Sequence, residues 1–329
     1  GRSPFAGPRL APTQRWRFDW TRLGIGGVSS YTTNPLVGAD GMVYLSLNGG
    51  WRYQIDPTTG TYTWGTAGGH SSAACLDVDG SYYTYWQDDY GSRVAKISSD
   101  FRSTVWNGNV DRGLDLACQN GIVTTRRNSP DVVAVRYLPN GAMRWSQPIF
   151  PSNMSGWISG YAIATDGTVL FAYRLTVNGV ETGYLQALDG GTGAPLWIAT
   201  LDNSMPQTPS IGADGTIYVG TRAGSIFALD GANGLAKWQL NAGDRVQTPI
   251  AIGTNGALYF MVDTAFRSAR PEDGATLWQT EIGSASLSMP LVDAGGTVYF
   301  RSVNENLYAL DAETGAILWS FPVEGGASA

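Results

Sequence analysis

The sequence predicts an all-β protein built from about seven similar units, and three observations predict it: the composition, a ladder of tryptophans and a ladder of turn dipeptides. The 329 residues include 43 Gly and 21 Asp, but only 6 Glu and 2 Lys. Asp and Gly suit tight turns, whereas Glu and Lys suit exposed helix surfaces. This balance favours short strands joined by many turns.

A tryptophan recurs about every forty residues. The members of this ladder are separated by 42, 39, 52, 41, 40 and 41 residues, and they are Trp64, Trp106, Trp145, Trp197, Trp238, Trp278 and Trp319. A period of this length is typical of repeat architectures, in which each repeat is one supersecondary unit. Because a unit cannot bury both faces alone, it packs on its neighbours, and one indole per unit can wedge into the adjoining sheet. We interpret these tryptophans as structural docking residues.

Turn dipeptides recur at a similar spacing, and each precedes an apolar run. They begin at Asp40, Asp79, Asn120, Asp166, Asp214, Asn255 and Gly295. Asp-Gly and Asn-Gly favour the positive φ angles of two-residue hairpin turns. A second turn precedes each tryptophan, as in Asp311–Gly315 before Trp319. Each unit therefore reads as strands A, B, C and D, with uniform A–B and C–D turns on one side and variable B–C and D–A loops on the other.

Four antiparallel strands per forty residues predict a blade, and seven such units predict a seven-bladed β-propeller. We expect one propeller over residues 14–323, an arm over 1–13 and a flexible tail over 324–329. The predicted blades span about 33–69, 71–110, 111–150, 160–201, 208–242, 248–283 and 289–323. Residues 14–20 align with the last D strand and predict an extra N-terminal strand. That strand either covers the edge of the last blade or is donated to a neighbouring subunit in self-association.

The pattern Ala-x-Asp-x-x-x-Gly-x-x-x-Trp resembles the tryptophan-docking motif of PQQ-like (quinoprotein dehydrogenase-like) propellers. It is complete at Ala187–Trp197, Ala228–Trp238 and Ala309–Trp319, and blade two has Arg102 at the Gly position. WD40 repeats are disfavoured, because no ladder tryptophan is followed by Asp. The resemblance covers almost the whole chain and implies the fold. It implies no single activity, because the family contains quinoprotein dehydrogenases and non-catalytic members such as the outer-membrane barrel-assembly propeller lipoprotein.

Several kinds of function are not expected. The formal charge is −6 and the Arg residues are scattered, which argues against a nucleic-acid partner. No apolar run reaches eighteen residues, so no transmembrane segment is predicted. The single histidine, His70, is interpreted as a loop residue, which leaves no basis for a histidine metal cluster or a catalytic triad. Asp77-Val78-Asp79-Gly80 is interpreted as a hairpin turn rather than a calcium loop.

We expect no cofactor, metal or catalytic residue. The resemblance implies that quinone binding uses eight blades, adjacent cysteines and acidic calcium ligands, whereas this chain has seven units and no adjacent cysteines. Cys75 and Cys118 fall at matching places in the A strands of blades two and three. A disulfide between them is possible because neighbouring A strands approach each other, and two buried thiols are the alternative.

The variable loops are expected to carry function, because a rigid scaffold holds them. Aromatic residues and Arg dominate binding hot spots. The candidate partner-binding face therefore consists of Trp86, Asp88, Tyr90, Arg126, Arg127, Trp157, Arg174, Arg222 and Phe266. The alternative is that some of these aromatic rings plug the channel mouth or cover blade edges.

The sequence predicts a non-catalytic scaffold or surface recognition module that binds protein. The alternatives are a small quinoprotein or polysaccharide-active enzyme and a glycan-binding, lectin-like module. The start at Gly1, the low Lys content and the resemblance predict export from a bacterial cell. The expected location is periplasmic, outer-membrane-associated or secreted.

Overall fold

The computed structural model describes residues 10, 36–38, 40–47, 51–66, 70–77, 79–88, 91–98, 103–110, 116–119, 121–128, 131–150, 154–286 and 288–322. Across these ranges the regular structure is β-strand without helix, and the strands form seven four-stranded antiparallel sheets. They are the blades of a seven-bladed β-propeller, which confirms the predicted fold class. The predicted strand at 14–20, the tail at 324–329 and all of the predicted arm except Leu10 lie outside the described residues.

The chain divides into two compact units. We call residues 14–153 with 189–194 the first unit, and residues 1–13, 154–188 and 195–329 the second unit. In every sheet the strands lie side by side in chain order.

The first unit contains blades one to three. Their strands are β1 Leu36–Val37, β2 Val43–Leu47, β3 Trp51–Ile55 and β4 Tyr62–Thr66; β5 His70–Leu76, β6 Tyr82–Asp88, β7 Gly91–Ile97 and β8 Thr104–Val110; β9 Leu116–Cys118, β10 Ile122–Asn128, β11 Asp131–Tyr137 and β12 Met143–Phe150. His70 begins β5, so its assignment to a loop is wrong. Asp79 lies in the predicted turn, where its Oδ1 accepts a hydrogen bond from Ser81 N at 2.9 Å.

The second unit contains the strands of blades four to seven. They are β13 Ser155–Ile163, β14 Val169–Val177, β15 Val180–Leu188 and β16 Pro195–Thr200; β17 Ser210–Ile211, β18 Thr216–Gly220, β19 Ser225–Asp230 and β20 Ala236–Asn241; β21 Ala251–Ile252, β22 Leu258–Val262, β23 Ala265–Ala269 and β24 Thr276–Glu281; β25 Leu291–Val292, β26 Thr297–Arg301, β27 Asn306–Asp311 and β28 Ile317–Pro322. Buried aliphatic and aromatic side chains fill the spaces between successive sheets of this unit.

The A–B turns use Asp-Gly differently from the prediction. Gly215 has a φ of 81°, but Asp214 is not among the residues with positive φ. The turn is closed by hydrogen bonds from Gly215 N to Gly212 O at 3.0 Å and from Gly212 N to Thr216 O at 2.8 Å. A two-residue type I′ turn would place both central residues at positive φ, so this turn has the longer form that ends in a left-handed glycine. Asp is favoured because its Oδ1 accepts from Thr216 N at 3.0 Å.

Five ladder tryptophans dock in the same way on the C–D turn that follows in the chain. Each indole N–H donates to a backbone carbonyl at 2.8–3.0 Å: Trp106 to Pro139, Trp145 to Gly190, Trp197 to Gly231, Trp238 to Pro271 and Trp278 to Ala312. Each of these five rings therefore joins its own blade to the next one in the chain.

A glycine lies against the face of each docked ring. A Cβ at these positions would meet a ring atom at 2.4–2.8 Å, and the glycines are Gly141, Gly193, Gly234, Gly274 and Gly315. Their φ angles of 72–85° also favour glycine. Trp64 of blade one is 52% exposed. The next blade has Arg102 at the place where the docking motif has its glycine. Trp319 is only 6% exposed.

Candidate functional site

Blade four extends beyond the other blades of the second unit at its B–C end. Strands β14 and β15 are nine residues long, whereas the B and C strands of blades five to seven have five or six. Pairing continues to Val177 opposite Val180. Asn178 and Gly179 close the hairpin with φ angles of 51° and 79°, as a type I′ turn requires. Three or four extra residues per strand correspond to about 10–13 Å of added reach at roughly 3.3 Å per residue.

One face of this hairpin combines an aromatic ring with an ion pair. Trp157 in β13 pairs with Arg174 in β14, and Arg174 pairs with Gly183 in β15, so the three positions share a face. Arg174 Nη1 lies 2.7 Å from Glu181 Oε1, and Glu181 belongs to the same face. Trp157 is 49% exposed. The face therefore presents a large apolar ring beside a guanidinium that is already held in place.

On the other face, the β14 side chains are apolar up to the tip. Tyr173 and Leu175 are 3% and 6% exposed, and burial raises the pKa of Tyr173 to about 12. The next positions on this face, Val177 and Val180, are 41% and 56% exposed. The tip of the hairpin therefore exposes two apolar side chains to solvent.

The base of the hairpin is fastened to the D–A segment that enters blade five. Gly183 N donates to Asp202 O at 2.9 Å, and Leu201 N donates to Gly183 O at 2.8 Å. A Cβ on Gly183 would lie 2.6 Å from Ser204 O, so glycine permits this approach. Ser204 Oγ in turn accepts from Ala223 N in the B–C turn of blade five at 3.0 Å. The hairpin therefore stands on a rigid base.

The structure places three of the predicted binding residues on this side of the second unit. Arg174 lies on the hairpin, and Trp157 lies beside it in β13. Arg222 is an exposed residue of the neighbouring B–C turn, where its backbone N–H donates to Met205 O at 3.0 Å. Phe266 is a correction, because it is 0% exposed and stacks on Phe300 with ring centroids 4.5 Å apart. It is a core residue and no part of a binding face.

Four of the remaining predicted residues lie in strands of the first unit rather than in loops. Trp86 and Asp88 lie in β6, which pairs with β7 up to Asp88 opposite Gly91. Arg126 and Arg127 lie in β10, which pairs with β11 up to Asn128 opposite Asp131. The expectation of variable loops at these places is therefore wrong, since paired strands run almost to the tip of each connection. Tyr90 lies outside the described residues.

Cys75 and Cys118 form a disulfide in the structure. It joins β5 of blade two to β9 of blade three, with Cα atoms 5.9 Å apart, a separation that disulfides commonly span. Both residues pack against a buried cluster that includes Tyr83 and Ile122. The state of the bond in the purified protein stays a prediction.

The donor groups described do not match a quinone site of the kind implied by the resemblance. The two cysteines are 43 residues apart and lie in different blades. Within the described ranges, no group of three or more His, Cys, Asp or Glu side chains could hold a metal ion. We assign no chemical step to such a cofactor. In the same part of the chain, no helix has the length and apolar character needed to cross a membrane.

Four-stranded blades joined by tryptophans that dock on glycine turns define the class of PQQ-like β-propellers. The chain belongs to the family described as outer membrane protein assembly factor BamB, whose model matches residues 129–265 and 263–329. No curated protein sequence matches the chain.

Solved structures share the fold at low sequence identity. BamB from Moraxella catarrhalis is 16% identical with a TM-score of 0.67, covering 89% of this chain and 88% of that one. A quinohemoprotein alcohol dehydrogenase from Comamonas testosteroni is 14% identical with a TM-score of 0.69, covering 91% of this chain and 68% of that one. The C-terminal WD40 domain of Sif2 is 10% identical with a TM-score of 0.71, covering 91% and 87%. These similarities concern the fold alone, and they include both an enzyme and proteins not named as enzymes.

Proposed function

We propose that the protein is a non-catalytic, exported scaffold that binds another protein through the extended hairpin of blade four. The observation that carries the proposal is a fully paired hairpin with apolar side chains exposed on both faces, Val177 and Val180 at the tip and Trp157 on the opposite face. Monomeric surfaces rarely leave clustered apolar side chains in water without a partner. The match to a family described as an assembly factor supports a protein as the partner.

The hairpin is suited to binding because its shape is fixed before contact. The cross-strand ladder continues to the turn, and Glu181 already restrains the Arg174 side chain. A preorganised surface loses less conformational entropy on association than a mobile loop does. Tryptophan and arginine are also the residues whose truncation most often costs 2 kcal/mol or more at interfaces, which is about thirtyfold in affinity.

Export is supported by the cysteine pairing. Disulfides persist in oxidising compartments and are rare in the cytosol. The structure joins Cys75 to Cys118, and the family description refers to the outer membrane. A periplasmic or outer-membrane-associated location fits both observations.

Site-specific photocrosslinking tests the proposal. A photoreactive residue replaces Val180 at the hairpin tip, and the matched control replaces Leu277, an exposed D-strand residue. In native cells we expect a discrete protein adduct at position 180 and none at 277, and Trp157→Ala should weaken the adduct strongly. No adduct at 180, or the same adduct at both positions, contradicts the proposal.

A separate assay tests the non-catalytic part. The purified protein is incubated with PQQ and Ca²⁺, and dye reduction is followed with alcohols and sugars as donors. We expect no turnover above a PQQ-only control. Sustained turnover would assign the chain to the enzymes of the superfamily, whatever the crosslinking result.

A further inference from the structure

A cavity lies on the turn side of the second unit, away from the tip of the blade four hairpin. It has a volume of about 910 Å³ and runs along the A–B turns of blades four and five. A second cavity of about 560 Å³ lies between the turns of blades five and six. Both are lined by Gly212–Asp214, Lys237 and Ile252, so they form one elongated depression, which we call the turn-side groove.

The floor of the turn-side groove is aliphatic. Ile163, Ile211, Ile252 and Leu196 line it, and Leu196 is 51% exposed. Leu196 directly precedes Trp197, whose indole N–H donates to Gly231 O at 2.9 Å. The docking of the tryptophan therefore fixes the backbone that presents Leu196 to the groove.

The rim of the groove is acidic. Its single ammonium group, Lys237 Nζ, donates to Thr216 Oγ1 at 2.5 Å and lies 3.6 Å from Asp214 Oδ2. The described residues place no cation within salt-bridge distance of the other rim carboxylates, Asp166, Asp230 and Glu272.

Two of these carboxylates are held in position by their own turns. Asp166 Oδ1 accepts from Thr168 N at 2.9 Å, and Asp230 Oδ1 accepts from Ala232 N at 2.8 Å. These bonds orient each side chain through one oxygen. The turns therefore fix negative charge along the length of the groove.

We propose that the turn-side groove binds an extended segment of a partner protein in which Lys or Arg alternates with aliphatic side chains. In an extended chain, alternate side chains point to opposite faces and successive ones on a face lie roughly 6–7 Å apart. Aliphatic side chains would pack on the isoleucine floor while the basic groups reach the rim carboxylates. An elongated groove suits a chain better than a compact ligand. This site goes beyond the proposed function, because it lies at the turn side of the second unit and includes none of the hairpin residues Arg174, Val177 and Val180.

A defined peptide tests the proposal without knowledge of the natural partner. The probe is a fluorescent hexapeptide of alternating Leu and Arg, and its counterpart carries Glu in place of Arg. Fluorescence anisotropy with the full chain should show binding of the basic peptide only. Affinity should fall when the salt concentration rises from about 0.05 to 0.5 M, because salt screens the attraction between the arginines of the peptide and the carboxylates of the rim.

Substitutions locate the site. Asp166→Asn and Asp230→Asn keep the acceptor that closes each turn but remove its charge, and each should weaken binding about threefold. The matched control is Asp311→Asn, because Asp311 Oδ1 accepts from Glu313 N at 3.1 Å in the corresponding C–D turn of blade seven, outside the groove. It removes the same charge from the protein and should leave affinity unchanged. Leu196→Asn tests the floor and should weaken binding about fivefold.

Three results would overturn the proposal. The first is the absence of binding by the basic peptide, and the second is equal binding of the acidic one. The third is that Asp311→Asn lowers the affinity for the basic peptide as much as Asp230→Asn does. The peptide would then be attracted only by the net charge of the protein. Circular dichroism of each variant verifies that the fold is retained. None of these outcomes bears on the crosslinking at Val180.

Discussion

The contact between Trp238 and Gly274 gives the sharpest test of how successive blades hold together. An Ala Cβ at position 274 would lie 2.8 Å from the indole of Trp238, in a backbone with a φ of 74°. Gly283 in the following segment has a φ of 72° and no atom within 4 Å of the corresponding Cβ. The two Gly→Ala substitutions therefore share the backbone penalty and differ only in the ring contact.

The expected magnitudes follow from that difference. A left-handed conformation costs an Ala about 1.5 kcal/mol, which is the whole expected effect of Gly283→Ala. Gly274→Ala must also displace the indole. This weakens the bond from Trp238 Nε1 to Pro271 O, now 2.8 Å long and worth about 1 kcal/mol. Partial loss of ring burial adds about 1.5 kcal/mol. We expect a total of about 4 kcal/mol for Gly274→Ala.

Thermal unfolding followed by circular dichroism measures the two variants. At about 2 °C per kcal/mol for a chain of this size, Gly274→Ala should lower the Tm about 5 °C more than Gly283→Ala does. In the Trp238→Ala background, Gly274→Ala should cost only the backbone penalty, since the ring is gone. Equal losses for the two glycines, or additive losses in the double variant, would refute the docking argument.

Three further predictions concern the disulfide, the hairpin and alkaline stability. Intact-mass measurement after alkylation, with and without reductant, should show one bond between Cys75 and Cys118. Cys75→Ser should lower the free energy of unfolding by up to about 4 kcal/mol, because the bond closes a loop of 43 residues. Trp157→Ala should change the Tm by less than about 2 °C because the ring is half exposed, even though it weakens the crosslink. Burial raises the pKa of Tyr53 from 10.0 to about 12. The folded state therefore favours the neutral phenol, and this stabilisation is complete below pH 10 and is lost as the pH rises to about 12. In Tyr53→Phe, the free energy of unfolding measured in urea should fall less across that interval.

Much of the architecture was predictable because the repeats impose the same chemistry at the same spacing. Trp197 and Trp238 each need a carbonyl and a glycine on the next C–D turn, and both features recur in the sequence. The exact A–B turn was not predictable from the dipeptide. Asp-Gly satisfies either a type I′ turn or a turn in which only Gly has positive φ, and the structure adopts the latter.

The candidate site was less predictable, because charge and aromaticity do not reveal where a strand ends. Arg126 and Arg127 suggest a loop by composition, but pairing with β11 keeps them in a ladder. Phe266 had a usable signal: alignment of the repeats on Trp238 and Trp278 places it over Ile226, which is 1% exposed. For the turn-side groove the sequence held only a weak signal. Lys237, one of two lysines in the chain, directly precedes the ladder tryptophan of blade five, where blade four has Leu196.

The direction of the tryptophan contacts has a consequence for biosynthesis. Each docked indole finds its carbonyl 33, 45, 34, 33 or 34 residues further along the chain. At roughly 5–20 residues per second on the ribosome, that partner emerges about 2–9 s after the ring itself. In blades two to six the indole therefore leaves the ribosome before the turn that it docks on, and its burial has to wait until the next blade has been synthesised.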